Sequence, residues 1–240
     1  MPAALPRRFY TRDPVTLARA LLGQRLVRVL EDGSRLAGII VETEAYLGAE
    51  DMAAHTYGGR RTARNEAMYG PGGTAYVYFT YGMHHCFNVV GGCEGDPVAV
   101  LIRALEPVEG LERMRIHRAP ERKSRRTRTE SDRNRQRPAA LAPPAHPLAA
   151  GSLRDLCRGP ARLCRALAVD RALNAIDLTR DSRLFIERDS PGVPEQEIGV
   201  SPRIGVGYAA HWAEKPLRFF IRPRGRFVSG PARLNSPPPP

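Results

Sequence analysis

Tyrosines and acidic side chains crowd into one short stretch of the sequence. Six of the eight tyrosines lie between residues 46 and 81, and Glu42, Glu44 and His55 lie in or beside that interval. A tyrosine presents a flat face, a hydroxyl for a hydrogen bond and a π cloud that attracts cations. A carboxylate next to such rings can accept a proton from water as a general base. The cluster therefore predicts a site, although tyrosine is also common in ordinary strands.

The two glutamates belong to the run VETEAY, residues 41–46, which is typical of a β-strand. The period of two along a strand puts Glu42, Glu44 and Tyr46 on one face. That face is either a site that deprotonates water or a solvated, salt-bridged surface. Alternation alone does not choose between the two glutamates as the base.

A mostly antiparallel sheet is expected to position this strand. Asp13 and Pro14 predict the cap and the first residue of a helix that ends before Gly23. Short apolar runs and turn signals predict strands at residues 26–30, 34–46, 74–81, 84–92, 97–105, 183–188 and 216–222, and helices at 109–117 and 161–168. We expect the α+β class, in a single domain with peripheral helices.

The composition limits the class of binding partner and the cellular compartment that we expect for the protein. A formal charge of +12 and a pI near 10.3 favour a polyanionic partner, most commonly a nucleic acid. The four cysteines lack the spacing of a zinc site, so we expect no metal. The first residues lack the apolar run of a signal peptide, and no stretch approaches the roughly 18 apolar residues of a membrane span. We expect an intracellular protein, in the cytoplasm or nucleoid if bacterial, without membrane association.

Residues 118–150 differ from the rest of the chain. They carry many arginines and prolines and almost no apolar periodicity, which predicts a disordered insertion in the single domain 1–240. Residues 118–137 contain nine basic and three acidic side chains, a balance of +6, which is half of the whole charge. The proline-rich tail, residues 236–240, is predicted to be flexible.

A long ordered set of residues resembles the alkyladenine (3-methyladenine) DNA glycosylase family. It starts with VETEAYLG at 41–48, Asp51 and the step Ala53-Ala54-His55. It continues with Arg60, Thr62, Arg64-Asn65, Pro71-Gly72, Thr74, Tyr76-Val77-Tyr78, Tyr81-Gly82-Met83, Asn88, Leu101, Arg103-Ala104-Leu105-Glu106-Pro107, Glu109-Gly110-Leu111-Glu112, Gly159-Pro160, Leu163-Cys164, Asp177-Leu178, Arg203-Ile204-Gly205-Val206-Gly207 and Lys215-Pro216-Leu217-Arg218-Phe219. The resemblance covers about residues 8–220 apart from the insertion.

The resemblance implies a monofunctional enzyme that flips a damaged purine out of double-stranded DNA and hydrolyses its glycosidic bond. It implies that no metal or organic cofactor is needed, and we expect a monomer. Glu44, rather than Glu42, becomes the general base, and Glu42 supports the strand. Arg103 and Asn88 match positions near the nucleophilic water and the extruded nucleotide, with a phosphate contact or a core hydrogen bond as the alternative.

The aromatic matches form the expected base pocket. Tyr46, His55 and Tyr78 match the positions that sandwich the flipped base, where each stacked base contributes roughly 1–3 kcal/mol. His55 has the alternative of an ordinary buried histidine. Asn88 is counted with this pocket as well.

Four further matches concern the DNA outside the pocket. Tyr81 matches the residue that wedges into the base stack, and Met83 is expected on the same edge. Arg60 and Arg64 resemble groups that flank the DNA backbone, with solvated surface arginines as the alternative. The basic insertion is expected to contact phosphates without entering the pocket.

Two rival functions use the same features. A non-enzymatic nucleic-acid-binding protein would keep the fold and the pocket without chemistry, and an RNA-binding or RNA-modifying domain would also use basic charge and tyrosines. Strand cleavage through a Schiff base is disfavoured, because Lys123 and Lys215 are the only lysines and neither lies near Glu44 in sequence. His84 and His85 depart from the family pattern beside the wedge, and the range of excised bases stays open.

Overall fold

The computed structural model describes residues 4–80, 82–119 and 152–231. Within these residues, eight strands form one sheet: β1 Arg25–Val29, β2 Arg35–Tyr46, β3 Ala75–Thr80, β4 His84–Val90, β5 Ala99–Glu109, β6 Leu184–Glu187, β7 Ile198–Ser201 and β8 Arg218–Ile221. The helices are α1 Arg7–Tyr10, α2 Pro14–Leu21, α3 Leu111–Arg118 and α4 Pro160–Ala166, and short 3-10 turns join the elements. The expected α+β class and antiparallel sheet are confirmed.

Every strand pair of the described sheet is antiparallel, in the order β3-β4-β5-β2-β1-β6, with β8 beside β2 and β7 beside β8. The long strand β2 is the centre of this arrangement. It pairs with β5 on one side, and on the other side with β1 in its first half and with β8 in its second half. The second half of β2 is therefore covered on both edges, and it carries both glutamates of interest.

Buried apolar side chains on both faces of β2 anchor the strand to the core. Leu36, Ile40, Val41 and Ala45 belong to one apolar cluster that also takes in helix α2 through Leu17. Removing this apolar surface from water stabilises the sheet by roughly 25 cal/mol per Å². The register with β5 is irregular between residues 40 and 43, and this local distortion lies where Glu42 is placed.

The local sequence signals at the start of the chain are confirmed. Asp13 accepts hydrogen bonds from the amides of Val15 and Thr16, and Pro14 is the first residue of α2. The predicted hairpin is the antiparallel pair β1 and β2. The four-residue strand β7 was not expected, because it is too short to show alternation.

One predicted boundary is wrong. Glu109 ends strand β5 instead of beginning a helix, and Gly110, at a φ of 74°, separates the strand from α3. A Cβ at Gly110 would lie 2.3 Å from the Leu36 side chain, so the reversal needs glycine. Helix α3 includes Arg118, the first residue assigned to the insertion. Residue 119 is also described, whereas residues 120–150 of the insertion and the predicted tail, 236–240, lie outside the described residues.

Within the described ranges no helix combines the length and the apolar character that crossing a membrane requires.

Candidate active site

The centre of the site is the Glu44 carboxylate on strand β2. Its side chain is fully buried and accepts hydrogen bonds on both oxygens. The amide of Ile204 donates to Oε1 at 2.7 Å, and Nη1 of Arg103 lies 3.0 Å from the same oxygen. The hydroxyl of Tyr46 donates to Oε2 at 2.9 Å. Glu44, Tyr46 and Arg103 are therefore brought together, as the sequence predicted.

Glu42 lies two residues earlier on the same strand face and shares a partner with Glu44. Its Oε1 accepts from Nε of Arg103 at 2.9 Å and from Nε of Arg218 at 2.7 Å. Ser229 adds its amide at 2.6 Å to Oε2 and its hydroxyl at 2.9 Å to Oε1. Arg103 thus bridges two carboxylates, which confirms that the alternation of β2 puts both on one face.

We call Glu42, Glu44, Arg103 and Arg218 the charged network. Each of these side chains is at least nine-tenths buried, and two positive charges balance two negative charges. Burial alone would raise the pKa of Glu42, but Arg103 and Arg218 hold that pKa below its usual value. Burial works against the positive charge of Arg103, yet Glu44 and Glu42 raise its pKa. Glu42 and Arg103 are consequently charged at neutral pH.

An aromatic cavity of about 310 Å³ lies next to the charged network. The predicted base-pocket residues Tyr46, His55, Tyr78 and Asn88 all line it, and so does Arg103, which was predicted as a catalytic residue. Glu44 lies behind the wall, since its partners Tyr46, Arg103 and Ile204 form part of the lining. We call Tyr46, His55 and Tyr78 the aromatic wall. A cavity of this volume is at the small end of ligand pockets and suits a flat ring.

His55 is oriented by two tyrosines of strand β3. Its Nδ1 lies 2.7 Å from the hydroxyl of Tyr76, and its ring meets the Tyr78 ring edge-on with centroids 4.6 Å apart. Burial, together with the positive charge of Arg64, lowers the pKa of His55 to about 4. The imidazole is therefore neutral at pH 7. Tyr76 belonged to the predicted tyrosine cluster but had no predicted role.

The ring of Tyr46 packs against Arg203, which forms a buried ion pair with Asp51. The sequence alone did not identify this pair. The Arg203 guanidinium lies 4.6 Å from the centroid of the Tyr46 ring. Arg203 also forms a two-pronged pair with Asp51, at 2.5 and 2.8 Å, and donates to the Ala45 carbonyl at 2.9 Å. Both residues match the family pattern, but 152 positions separate them, so only the fold reveals the pair.

Asn88 closes the cavity from strand β4. It is buried, and its amide donates to the Tyr76 carbonyl at 3.0 Å. The amide group is thereby fixed at the pocket lining, in agreement with its predicted place in the base pocket. Asn88 pairs with Leu101 across β4 and β5, two positions before Arg103.

Arg60 and Arg64 lie in a second groove of about 410 Å³ that shares His55 with the cavity. Both arginines are exposed. Arg64 lies 5.7 Å from the centroid of the Tyr78 ring and is 3.4 Å from the Phe79 carbonyl. Their position beside the mouth of the cavity is compatible with a contact to a polyanion.

The predicted wedge is described only in part. Tyr81 lies outside the described residues. Met83 follows strand β3 in the connecting turn, and 69% of its side chain is exposed. Met83 does not line the aromatic cavity; it borders a shallow groove together with His84 and His85.

Of the remaining reactive groups, Cys86 lines the aromatic cavity, whereas the described lysine does not. Lys215 places its ammonium 3.2 Å from the centroid of the Trp212 ring, and Lys123 lies outside the described residues. The four cysteines are free, and Cys86, Cys157 and Cys164 are buried. The part of the chain that the structure describes contains no group of three His, Cys, Asp or Glu side chains able to hold a metal ion.

The fold and the site define a protein with a pocket for a flat ring and a buried carboxylate directly behind that pocket. The chain belongs to the methylpurine-DNA glycosylase family, whose model matches residues 8–224. It is 45% identical over 214 residues to the DNA-3-methyladenine glycosylase of Homo sapiens, a match of 89% of this chain and 64% of that protein. The chain therefore spans less than two thirds of that relative.

Bacterial relatives match over nearly their whole length. A Desulfitobacterium hafniense protein with the provisional name 3-methyladenine DNA glycosylase is 43% identical, with 90% of this chain and 94% of that protein covered. A Bacillus cereus protein of the same name is 40% identical, with 90% and 95% covered.

Proposed function

We propose that the chain is a DNA glycosylase that takes an alkylated or otherwise damaged purine, flipped out of duplex DNA, and hydrolyses the bond between the base and its sugar. The product is an abasic site, from which base excision repair proceeds. The observation that carries this proposal is the Glu44 carboxylate, buried directly behind the aromatic cavity and held by three donors. The names of the relatives support the substrate class.

The aromatic wall suits a purine that carries positive charge. Tyr46 and Tyr78 offer π faces, which attract a cation and stack on a base. His55 is neutral at pH 7, because burial and Arg64 lower its pKa to about 4. A neutral imidazole stacks without repelling a cationic base. Alkylation also makes the purine a better leaving group, so less acid assistance is needed.

Glu44 has the acceptor capacity for a water molecule. A carboxylate offers about four acceptor positions. Ile204, Arg103 and Tyr46 fill three of them, with two on Oε1 and one on Oε2. A second position on Oε2 is thus left for a water that enters through the cavity. As the base departs, the sugar becomes oxocarbenium-like, and the same negative charge stabilises it.

We propose that the protein binds double-stranded DNA as a monomer, and exposed groups outside the cavity support the contact with DNA. Arg60 and Arg64 are exposed cations beside the cavity mouth, and we assign them to the phosphate backbone. Met83 is exposed in the turn after β3, and Tyr81 precedes it in sequence, so we assign both to the space left by the extruded base.

A base-release panel tests the proposal. Duplexes carrying 3-methyladenine, 7-methylguanine, hypoxanthine or ethenoadenine are incubated with the protein, and released base is measured by chromatography beside undamaged DNA. We expect release of at least one alkylated base, with the strand left intact until alkali is added. No release by folded protein would indicate a binding protein without chemistry. Stronger competition by RNA than by duplex DNA would favour an RNA substrate.

A further inference from the structure

We propose that Ser229 is a positioning residue that holds Arg103 in place for the reaction, both through its own hydroxyl and through Glu42. The proposal rests on the proposed function and concerns a segment beyond residue 224, where the family match ends. We call residues 228–230 the brace. No motif in the sequence points to these residues.

Ser229 uses each of its polar groups on the charged network. Its amide and its hydroxyl both donate to Glu42, at 2.6 and 2.9 Å. Its hydroxyl oxygen accepts from Nη2 of Arg103 at 3.2 Å, and its carbonyl accepts from Nη2 of Arg218 at 2.9 Å. One residue therefore contacts three of the four charged side chains.

The neighbours of Ser229 fix its position. Nε of Arg158 donates to the Val228 carbonyl at 2.7 Å, and Val228 is fully buried. Gly230 has a φ of 84°, and a Cβ there would lie 2.4 Å from Cδ1 of Ile204. The amide of that same Ile204 donates to Glu44. The brace thus packs against the groups that hold both glutamates.

Arg103 depends on this support because its guanidinium contacts two carboxylates, Glu44 and Glu42, at the same time. Nη1 faces Glu44, while Nε faces Glu42 and Nη2 faces Ser229. These three contacts fix the plane of the guanidinium. Loss of the Ser229 hydroxyl removes the contact to Nη2 directly. It also removes a hydrogen bond to Glu42, which weakens the hold of Glu42 on Nε. A displacement of about 1 Å in a reacting group can cost about 100-fold in rate, so even a partial shift is measurable.

The test compares Ser229→Ala with Thr43→Val. Ser229→Ala removes the hydroxyl from the network and keeps the amide and the carbonyl in the backbone. Thr43 lies between the two glutamates on the opposite face of β2, and its buried hydroxyl donates to the Ala18 carbonyl at 3.0 Å. Thr43→Val therefore removes one buried hydroxyl hydrogen bond from the same strand without touching Arg103 or Glu42.

The readout is the single-turnover rate constant at saturating enzyme, with the affinity for lesion DNA measured separately. This rate constant does not depend on the folded fraction of enzyme, so a merely destabilised variant leaves it unchanged. We expect Ser229→Ala to lower it about 10-fold, within the 100-fold that misplacement can cause, with lesion affinity unchanged. Thr43→Val should keep the wild-type rate constant.

A wild-type rate constant in Ser229→Ala, or an equal loss in Thr43→Val, would contradict the positioning role proposed for Ser229. A wild-type protein that releases no damaged base overturns the proposed function instead. The two failures are therefore distinguishable.

Discussion

The charged network and the aromatic wall meet at Tyr46 but are held together by different forces. In the charged network, Glu42 accepts four hydrogen bonds, and Glu44 accepts two hydrogen bonds and forms an ion pair with Arg103. In the aromatic wall, ring packing dominates, as between His55 and Tyr78. Directional charged contacts fix atoms in place, whereas ring contacts tolerate small shifts. We infer that the network serves the chemistry and the wall serves recognition.

The substitution Glu44→Gln tests most directly whether the charged network serves chemistry and the aromatic wall serves recognition. The amide keeps the shape of the side chain but removes its charge and its proton affinity. Loss of general-base catalysis alone should lower single-turnover excision by about 100- to 10,000-fold, while the aromatic wall still binds lesion DNA. The measurement is excision at enzyme excess, with affinity determined separately.

Glu187→Gln is the matched control for this change. Glu187 is an equally buried glutamate, paired with Arg35 at 2.6 Å on the far side of the sheet. Glu187→Gln should lose stability and keep the excision rate. Near-normal excision by Glu44→Gln would show that another group activates the water.

A second, smaller effect is expected where the two regions meet. Tyr46→Phe keeps the ring of the wall but removes the hydroxyl that orients Oε2 of Glu44. We expect about a 10-fold lower excision rate, well inside the roughly 100-fold that misplacement of a reacting group can cause. Tyr78→Phe keeps its ring and removes a hydroxyl that contacts no member of the charged network in the described structure, so its rate should change less than about 3-fold, the scale of a weak neutral contact. Equal losses in both variants would contradict the division into network and wall.

The smallest expected effect is a pH dependence of the free energy of unfolding, which arises from His55 in the aromatic wall. The pKa of His55 is lowered to about 4 in the folded protein, against an ordinary value of 6.5. Between these values the unfolded chain binds the proton and the folded chain does not. The stabilising contribution is therefore complete above about pH 6.5 and is lost as the pH falls towards 4.

Urea unfolding of the wild type and of His55→Asn at pH 7 and pH 5 measures this contribution. The wild type should lose more free energy of unfolding than the variant, by at most about 2 kcal/mol, which is 1.5 pH units at 1.36 kcal/mol each. An imidazole that titrates near 6.5 by NMR would refute the assignment.

Much of the site could be predicted because its core lies on adjacent, strongly patterned strands. The period of two in VETEAY places Glu42, Glu44 and Tyr46 on one face, and the structure confirms this. The resemblance to a known family then selected Glu44 and Arg103. Both predictions depend on local periodicity or on ordered motifs, which a sequence displays directly.

The supporting contacts could not be predicted, because they join distant parts of the chain. Ser229 lies 187 residues after Glu42, and Arg203 lies 152 residues after Asp51. No periodicity links such pairs; only the packing of the sheet brings them together. The sequence accordingly gave Glu42 a role in the strand alone and missed its contact with Arg103. The helix start at Glu109 was wrong for a related reason, since pairing with β2 extends β5 to that residue.

The pairing of β2 with a strand on each edge also determines which segments of the molecule should unfold first and which last. Residues 42–44 hydrogen-bond to β5 on one edge and to β8 on the other, so their amides should exchange with solvent deuterium only on global unfolding. Amides around Met83, in an exposed turn, should exchange through local fluctuations. The proposed general base thus lies in a segment that should open last, and the surface proposed to contact DNA lies in one that should open first. Partial unfolding on heating would then abolish capture of damaged DNA while the Glu44 carboxylate is still in its native place.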